Sequence, residues 1–191
     1  TYDHLQRLSG EDRAEYLGIS TGYAALDRVI TGLNKSDLLL VAARPGMGKT
    51  AFALNIASNV ALRSQKTVAI FSLEMSREQL MNRLLAAEGG IDSRRLLTGD
   101  LSLEDWGKVA DLLTIFSKCP MYMDDTAGIT VAEMKAKLRR VRDLGLVVID
   151  YLQLMSTGRR SDNRVQEVSE ITRSLKIMAK ELNVPVITLS Q

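Results

Sequence analysis

One cysteine, Cys119, and one histidine, His4, stand among 191 residues. A single cysteine excludes an internal disulfide, and the lack of a disulfide framework makes an intracellular compartment the expectation. Cys119 precedes Pro120 at the start of an expected strand and reads as a small apolar core residue rather than a nucleophile. His4 lies in a polar stretch and reads as solvated. No apolar run approaches the roughly 20 residues of a membrane span, and no charged-then-apolar leader opens the chain. Neither sign of charge is in excess, with Lys+Arg 25 against Asp+Glu 23. That balance neither demands nor excludes a nucleic-acid partner, so any basic surface has to be local. Internal repeats and low-complexity segments are absent too.

What is there is ordinary in bulk and regular in order. Hydrophobic residues make up 46% and charged residues 25%, the composition of a soluble globular domain. Residues 1–20 are polar with weak periodicity and read as a linker or arm; residues 21–191 read as the domain. The chain opens at Thr1, which is expected of a fragment or a processed product. From Asp37 onward, apolar runs alternate with helical patterns. Strands are expected at 37–43, 67–72, 121–124, 146–150 and 185–190. Helices are expected at 49–63, after Ser76, after Ser102, after Thr130 and at 164–183. Three capping signatures open helices: Ser76 with Gln79, Ser102 with Asp105, and Thr130 with Glu133. Val131, Met134, Leu138 and Val141 are expected to share one helix face. Val165, Val168, Ile171, Leu175, Met178 and Leu182 are expected to share another. The eight methionines read mostly as packing. Continuous apolar strands between amphipathic helices predict an α/β fold, a mostly parallel sheet covered on both faces. Ligands of such sheets bind beyond the carboxyl ends of the strands.

The first strand runs into Ala43-Arg-Pro-Gly-Met-Gly-Lys-Thr50 and then a helix. This is the phosphate-loop pattern with Ala43 in place of the first glycine. Gly46 and Gly48 let backbone amides turn toward a polyphosphate, and the helix N-terminus adds positive potential. Lys49 can reach the β- and γ-phosphates, and the Thr50 hydroxyl can ligate magnesium. The nucleotide-binding set is therefore Arg44, Pro45, Gly46, Met47, Gly48, Lys49, Thr50 and Ala51. Asn34-Lys-Ser-Asp37 spells a guanine-recognition tetrapeptide, but it precedes the phosphate loop instead of following it and reads as a turn.

Acids stand at the other strand ends. Asp150 closes a four-residue apolar run and can hold magnesium directly or through water. Glu74 follows the second strand, where an acid could orient and polarise an attacking water; it could equally cap the helix that starts near Ser76. Asp124 and Asp125 end the third strand and compete for the same role, beside a turn at Thr126–Gly128. Gln191 ends the last strand, where a neutral amide could sense a γ-phosphate.

Taken together, TGYAALDR (21–28), AARPGMGKTAFALNIAS (42–58), FSLEM (71–75), DYLQLM (150–155), DNRVQEVSEITRSLK (162–176) and ELNVPVITLSQ (181–191) resemble the RecA-like ATPase domain of the bacterial replicative DNA helicases, the DnaB family. The likeness covers roughly residues 15–191, and alanine at position 43 is what that family usually shows. It implies a P-loop ATPase using ATP and magnesium in a ring, usually hexameric, that moves on single-stranded DNA and separates duplex at a fork. It further implies a bacterial cytoplasmic protein at the nucleoid, with primase and a helicase loader as partners. Glu74 becomes the catalytic glutamate, Asp150 the magnesium acid and Gln191 the phosphate sensor, with Lys49 acting on the phosphates. Arg83 matches the position that packs on the nucleotide base, against the plainer reading of a solvated helix arginine. The primase-binding helical domain and the strands that carry the arginine finger are not in this sequence. The expectation is an incomplete domain, missing its C-terminal strands, that binds nucleotide weakly and hydrolyses it slowly alone.

Residues 156–164 carry Arg159, Arg160 and Arg164 without interleaved aromatics. They read either as a backbone-tracking DNA loop or as a solvated connector. The basic run 135–142 reads as the solvated face of a helix, or as a face that docks a neighbour or a loader protein. The competing functions are a recombination or clock-type ATPase and a loader-type scaffold that binds ATP without unwinding. A small-molecule kinase fits least, for want of a lid or acceptor site.

Overall fold

A strand buried on both faces can carry no polar side, and Thr67–Ser72 (β2) and Leu144–Asp150 (β4) have that composition between their ends. The computed structural model describes residues 17–150, 152–155 and 164–190. Beside β2 and β4 it places β1 (Leu38–Ala42), β3 (Met121–Asp124) and β5 (Val186–Ser190). All pair in parallel, in the order β1-β5-β4-β2-β3. Every residue of β2 is buried, as is all of β4 beyond Leu144.

Successive residues of these strands enter two separate cores, as the pleat requires. Val68, Ile70, Leu146, Val148, Ile187 and Leu189 pack against α2 (Lys49–Arg63), α3 (Arg77–Gly89) and α5 (Leu103–Lys118). Ala69, Phe71, Val147, Ile149 and Val186 face the other way. They meet α6 (Val131–Leu138) and α7 (Arg164–Leu182) through Met134, Leu138, Ile171, Leu175 and Met178. Each Val, Leu, Ile, Phe or Met among them contributes about 1.5–3 kcal/mol relative to exposure, so the two layers fix the sheet between them.

The three capping boxes form as the spacing predicts, at the starts of α3, α5 and α6. Two short helices had no counterpart in the sequence reading. One is Ala24–Ile30 (α1), between residues joined by a bridge from Ile19 to Leu33. The other is Ser93–Thr98 (α4), capped by the Asp92 carboxylate and closed by Gly99 at φ 73°. Two expected apolar stripes are also trimmed. Helix α6 stops at Leu138, and Val141 lies in the turn that follows, its amide donating to the Leu138 carbonyl. Val165 is 75% exposed although it keeps the spacing of α7. Helical spacing says which residues share a face, not how far along the helix the sheet reaches.

Among the methionines, Met134, Met155 and Met178 are buried as packing residues, whereas Met47 is 73% exposed. Cys119 is half-buried at the end of α5, where burial pushes its thiol up, away from nucleophilic use. No helix among the described residues is long and apolar enough to cross a membrane.

Candidate functional site

Parallel register puts the ends of four strands in a row. Ala42 at the end of β1 pairs with Ser190 of β5, and Ser72 at the end of β2 pairs with Asp150 of β4. The Leu73 amide donates to the Asp150 carbonyl at 2.7 Å, carrying the β2–β4 ladder one step past the strands. The loops beyond β1, β4 and β2 therefore leave the sheet on one side.

After β1 the chain turns through Gly46 at φ 78° and Gly48 at φ 80°. A β-carbon at either glycine would meet nothing within 4 Å, so it is the left-handed backbone and not crowding that calls for glycine. Ala43 is not in the left-handed region, and the missing first glycine costs the loop nothing. Helix α2 starts at Lys49 with Gly48 as its N-cap and no side chain capping it. Its first-turn amides are thus directed at the space in front of the loop, the arrangement that suits an anion.

The same turn of α2 reaches across the sheet to β4. The Thr50 hydroxyl donates to Asp150 Oδ2 at 2.7 Å. Asp150 is 2% exposed, and its other oxygen, Oδ1, has no hydrogen-bond partner among the described residues. A buried carboxylate oxygen left unpaired is costly in isolation. Beside a hydroxyl and a phosphate loop, this donor set suits a hard divalent cation. No cluster of three or more His, Cys, Asp or Glu that could hold a metal occurs among the described residues. Thr50 and Asp150 would therefore hold only part of the ion's shell, as magnesium favours, with phosphate and water supplying the rest.

Glu74 stands two residues past Ser72, at the mouth of this arrangement. A cavity of about 340 Å³ is lined by Arg44, Pro45, Gly46, Gly48, Lys49, Thr50, Glu74, Met75 and Arg83. It joins the phosphate loop, the acid that follows β2 and the α3 arginine, which stand on three separate elements. Met75 lines the cavity and was missed in the sequence, where it offers only an apolar side chain after the acid. Arg83 also borders a second hollow of about 520 Å³ between α2 and α3, lined by Ala51, Leu54, Asn55, Ala86 and Ala87 among others. Of the nucleotide-binding set, the Met47 side chain points to solvent and Ala51 faces this second hollow. Gln191, Arg159 and Arg160 lie outside the described residues. Arg164 opens α7.

Neither acid at the end of β3 lines the cavity. Asp124 turns toward α6, where its carboxylate accepts from Lys137 Nζ, the Tyr122 hydroxyl and the Thr126 amide. Burial pushes that carboxyl up, but the hydrogen bonds from Lys137 and Thr126 and the Lys137 charge outweigh it and hold it at about 2. A depressed carboxyl stabilises the fold above its ordinary value of 3.8 and loses that contribution as pH falls through about 2. We expect Lys137→Met to cost up to about 2 kcal/mol at pH 7 in urea unfolding, with the gap to the parent closing between about pH 4 and pH 2.

The other sequence candidates settle into structural roles. In the Asn34–Asp37 turn the Asn34 side chain donates to the Ile30 and Gly32 carbonyls, and Lys176 donates to the Ser36 carbonyl. The basic run is not a merely solvated face: Lys135 pairs with Glu181, Lys137 with Asp124, and Arg139 reaches Glu181 at 4.0 Å.

A parallel sheet in this strand order, with a phosphate loop after its edge strand and acids at the ends of β4 and β2, defines a RecA-like P-loop domain. The RadB recombinase shares the fold, with a TM-score of 0.54 at 22% identity over 91% of this chain and 70% of that one. Residues 18–191 match the family described as the DnaB-like helicase C terminal domain, and the chain belongs to that family. It is 54% identical to the replicative DNA helicase DnaB of Geobacillus stearothermophilus over the whole chain and 43% of that protein. It is 53% identical to the replicative DNA helicase DnaC of Bacillus subtilis (strain 168), again over the whole chain and 43% of the relative. A solved DnaB-like replicative helicase, described with its primase interactions, superposes with a TM-score of 0.89 at 35% identity, over 100% of this chain and 46% of that one. The chain thus spans less than half the length of these helicases.

Proposed function

We propose that this chain is the motor part of a replicative DNA helicase, hydrolysing ATP with magnesium to move on single-stranded DNA and open duplex at the fork. The observation that carries the proposal is the single cavity joining Lys49, Thr50 and Glu74, with Asp150 bonded beneath Thr50. The family to which the chain belongs supplies the DNA context.

In this reading the loop amides of 44–51 and Lys49 hold the terminal phosphates. Thr50 and Asp150 would hold magnesium, which would neutralise charge on the phosphate oxygens. Glu74 accepts a hydrogen bond from the attacking water and takes its proton as the water oxygen bonds to the γ-phosphorus and the bond from that phosphorus to the β–γ bridging oxygen breaks, with ADP as the leaving group. Arg83 sits between the phosphate cavity and the hollow beside it, and would pack on the nucleotide base there. Gln191 follows β5 directly and would sense the γ-phosphate, and Arg159, Arg160 and Arg164 would meet the DNA backbone. A ring of copies, usually six in this family, would complete the site in trans, with primase and a loader as partners in the bacterial cytoplasm at the nucleoid.

The test is a forked substrate. The full-length protein is expected to show ATP turnover stimulated by single-stranded DNA and to release the duplex strand only with a hydrolysable nucleotide. Nucleotide binding with no strand release at any ATP concentration would point to a loader-type scaffold.

A further inference from the structure

The sequence leaves two acids, Asp124 and Asp125, as rivals of Glu74, and the geometry gives them separate tasks. Asp124 is spent on α6. Asp125 faces the opposite way, toward α3: its Oδ2 accepts from the Arg77 amide at 3.2 Å and its Oδ1 lies 3.1 Å from Arg77 Nε. Arg77 is the first residue of α3, three positions beyond Glu74.

We infer that Asp125 is a positioning residue for Glu74: by holding the N-terminus of α3, it keeps the 72–76 segment placed so that the Glu74 carboxylate faces the phosphate cavity. The inference rests on reading Glu74 as the hydrolytic carboxylate. Glu74 itself has no hydrogen-bond partner among the described residues, so its backbone alone sets its place. On either side of Glu74, that backbone is tied to the sheet by the Leu73 amide on the Asp150 carbonyl and by the Met75 amide on the Ser72 hydroxyl. Beyond Met75 it depends on α3. The Ser76–Gln79 capping box is internal to that helix and moves with it. The bond to Asp125 is a polar tie from this end of α3 to a strand end. Its anchor is firm, because Phe71 of β2 pairs with Asp124, and buried Asp124 is fixed in turn by Lys137 and Thr126. A carboxylate at this end of a helix also meets the favourable end of its dipole.

Displacing a reacting group by about 1 Å costs up to roughly 10²-fold in rate. In the full-length protein, Asp125→Ala is therefore expected to lower kcat for ATP by about 10- to 100-fold, with KM within about threefold. Asp125→Asn keeps an oxygen acceptor for the Arg77 amide and should recover most of that loss. Arg77→Pro removes the same bond from the other side. Proline suits the first position of a helix, and Ser76 at ψ 159° accommodates a following proline. This variant should melt like the parent, match Asp125→Ala in kcat, and add nothing when combined with it. It carries the test alone if Asp125→Ala does not fold. If both variants keep kcat within about twofold of the parent while Glu74→Gln is inactive, Asp125 has no positioning role. If Glu74→Gln turns over at the parent rate, the reading of Glu74 falls, and this inference with it.

Discussion

Replacing Glu74 with glutamine in the full-length protein is expected to lower ATP turnover by roughly 10²–10⁴-fold, the range that a positioned general base supplies. Affinity for magnesium–ATP should change by less than about threefold, because the phosphates are held by other groups. Glutamine keeps the length and shape of the side chain and one hydrogen-bond acceptor, so a water can still be held in place. It cannot take the proton that the water must lose as its oxygen bonds to phosphorus. The residue is exposed at the cavity and makes no protein hydrogen bond among those described, so the change leaves no buried partner unsatisfied. Stability should be unaltered, and a loss of turnover would not be a folding defect. Rapid-quench and steady-state assays together separate the chemical step from product release. Retention of a normal chemical rate would move the base elsewhere on the chain.

Asp150→Asn is expected to act on binding and turnover together. Asparagine still accepts the Thr50 hydroxyl, so the link between α2 and β4 survives, while the anionic charge that would hold magnesium is gone. Loss of one well-placed electrostatic group in a water-poor site costs about 10²–10³ in rate. We expect that loss in kcat/KM, and a matching weakening of magnesium-dependent nucleotide uptake. Without nucleotide the sign of the stability change should differ from that of an ordinary core mutation. The parent carboxylate is 2% exposed, with one oxygen unpaired among the described residues. Removing a buried charge relieves that cost, so the melting temperature without nucleotide should hold or rise. The stabilisation that magnesium–ATP gives the parent should shrink in the variant. A variant that melts lower without nucleotide yet binds it normally would make Asp150 a structural residue.

Much of this was open to reading because the informative signals were local. Fully apolar runs of strand length bounded by turns marked β2 and β4, and serine or threonine with an acid or amide three residues on marked the starts of α3, α5 and α6. The phosphate loop declares itself by two glycines whose backbone no other residue adopts easily. Strand order is another matter. The β1–β5 and β2–β4 pairings join segments far apart in the chain, and nothing in either segment names its partner; only the family likeness supplied the RecA-like arrangement. The bond between Thr50 and Asp150 spans 100 positions and was legible only as two motifs that tend to occur together. Asp125 and Arg77 are 48 positions apart and belong to no motif, so their contact was invisible. The short helices α1 and α4 escaped because six or seven residues carry too few turns for periodicity. For α4 the flanking Asp92 and Gly99 were the available signal.

One arrangement is central: a phosphate loop, a hydroxyl–carboxylate pair beneath it and an acid at its mouth, which together would serve one nucleotide. Calorimetric titration of ATP into the full-length protein, with magnesium and again with the metal chelated, tests it most directly. The expected result is saturable uptake that weakens sharply on chelation and is abolished in Lys49→Ala. Equal uptake with and without magnesium, or undiminished binding in Lys49→Ala, would contradict it.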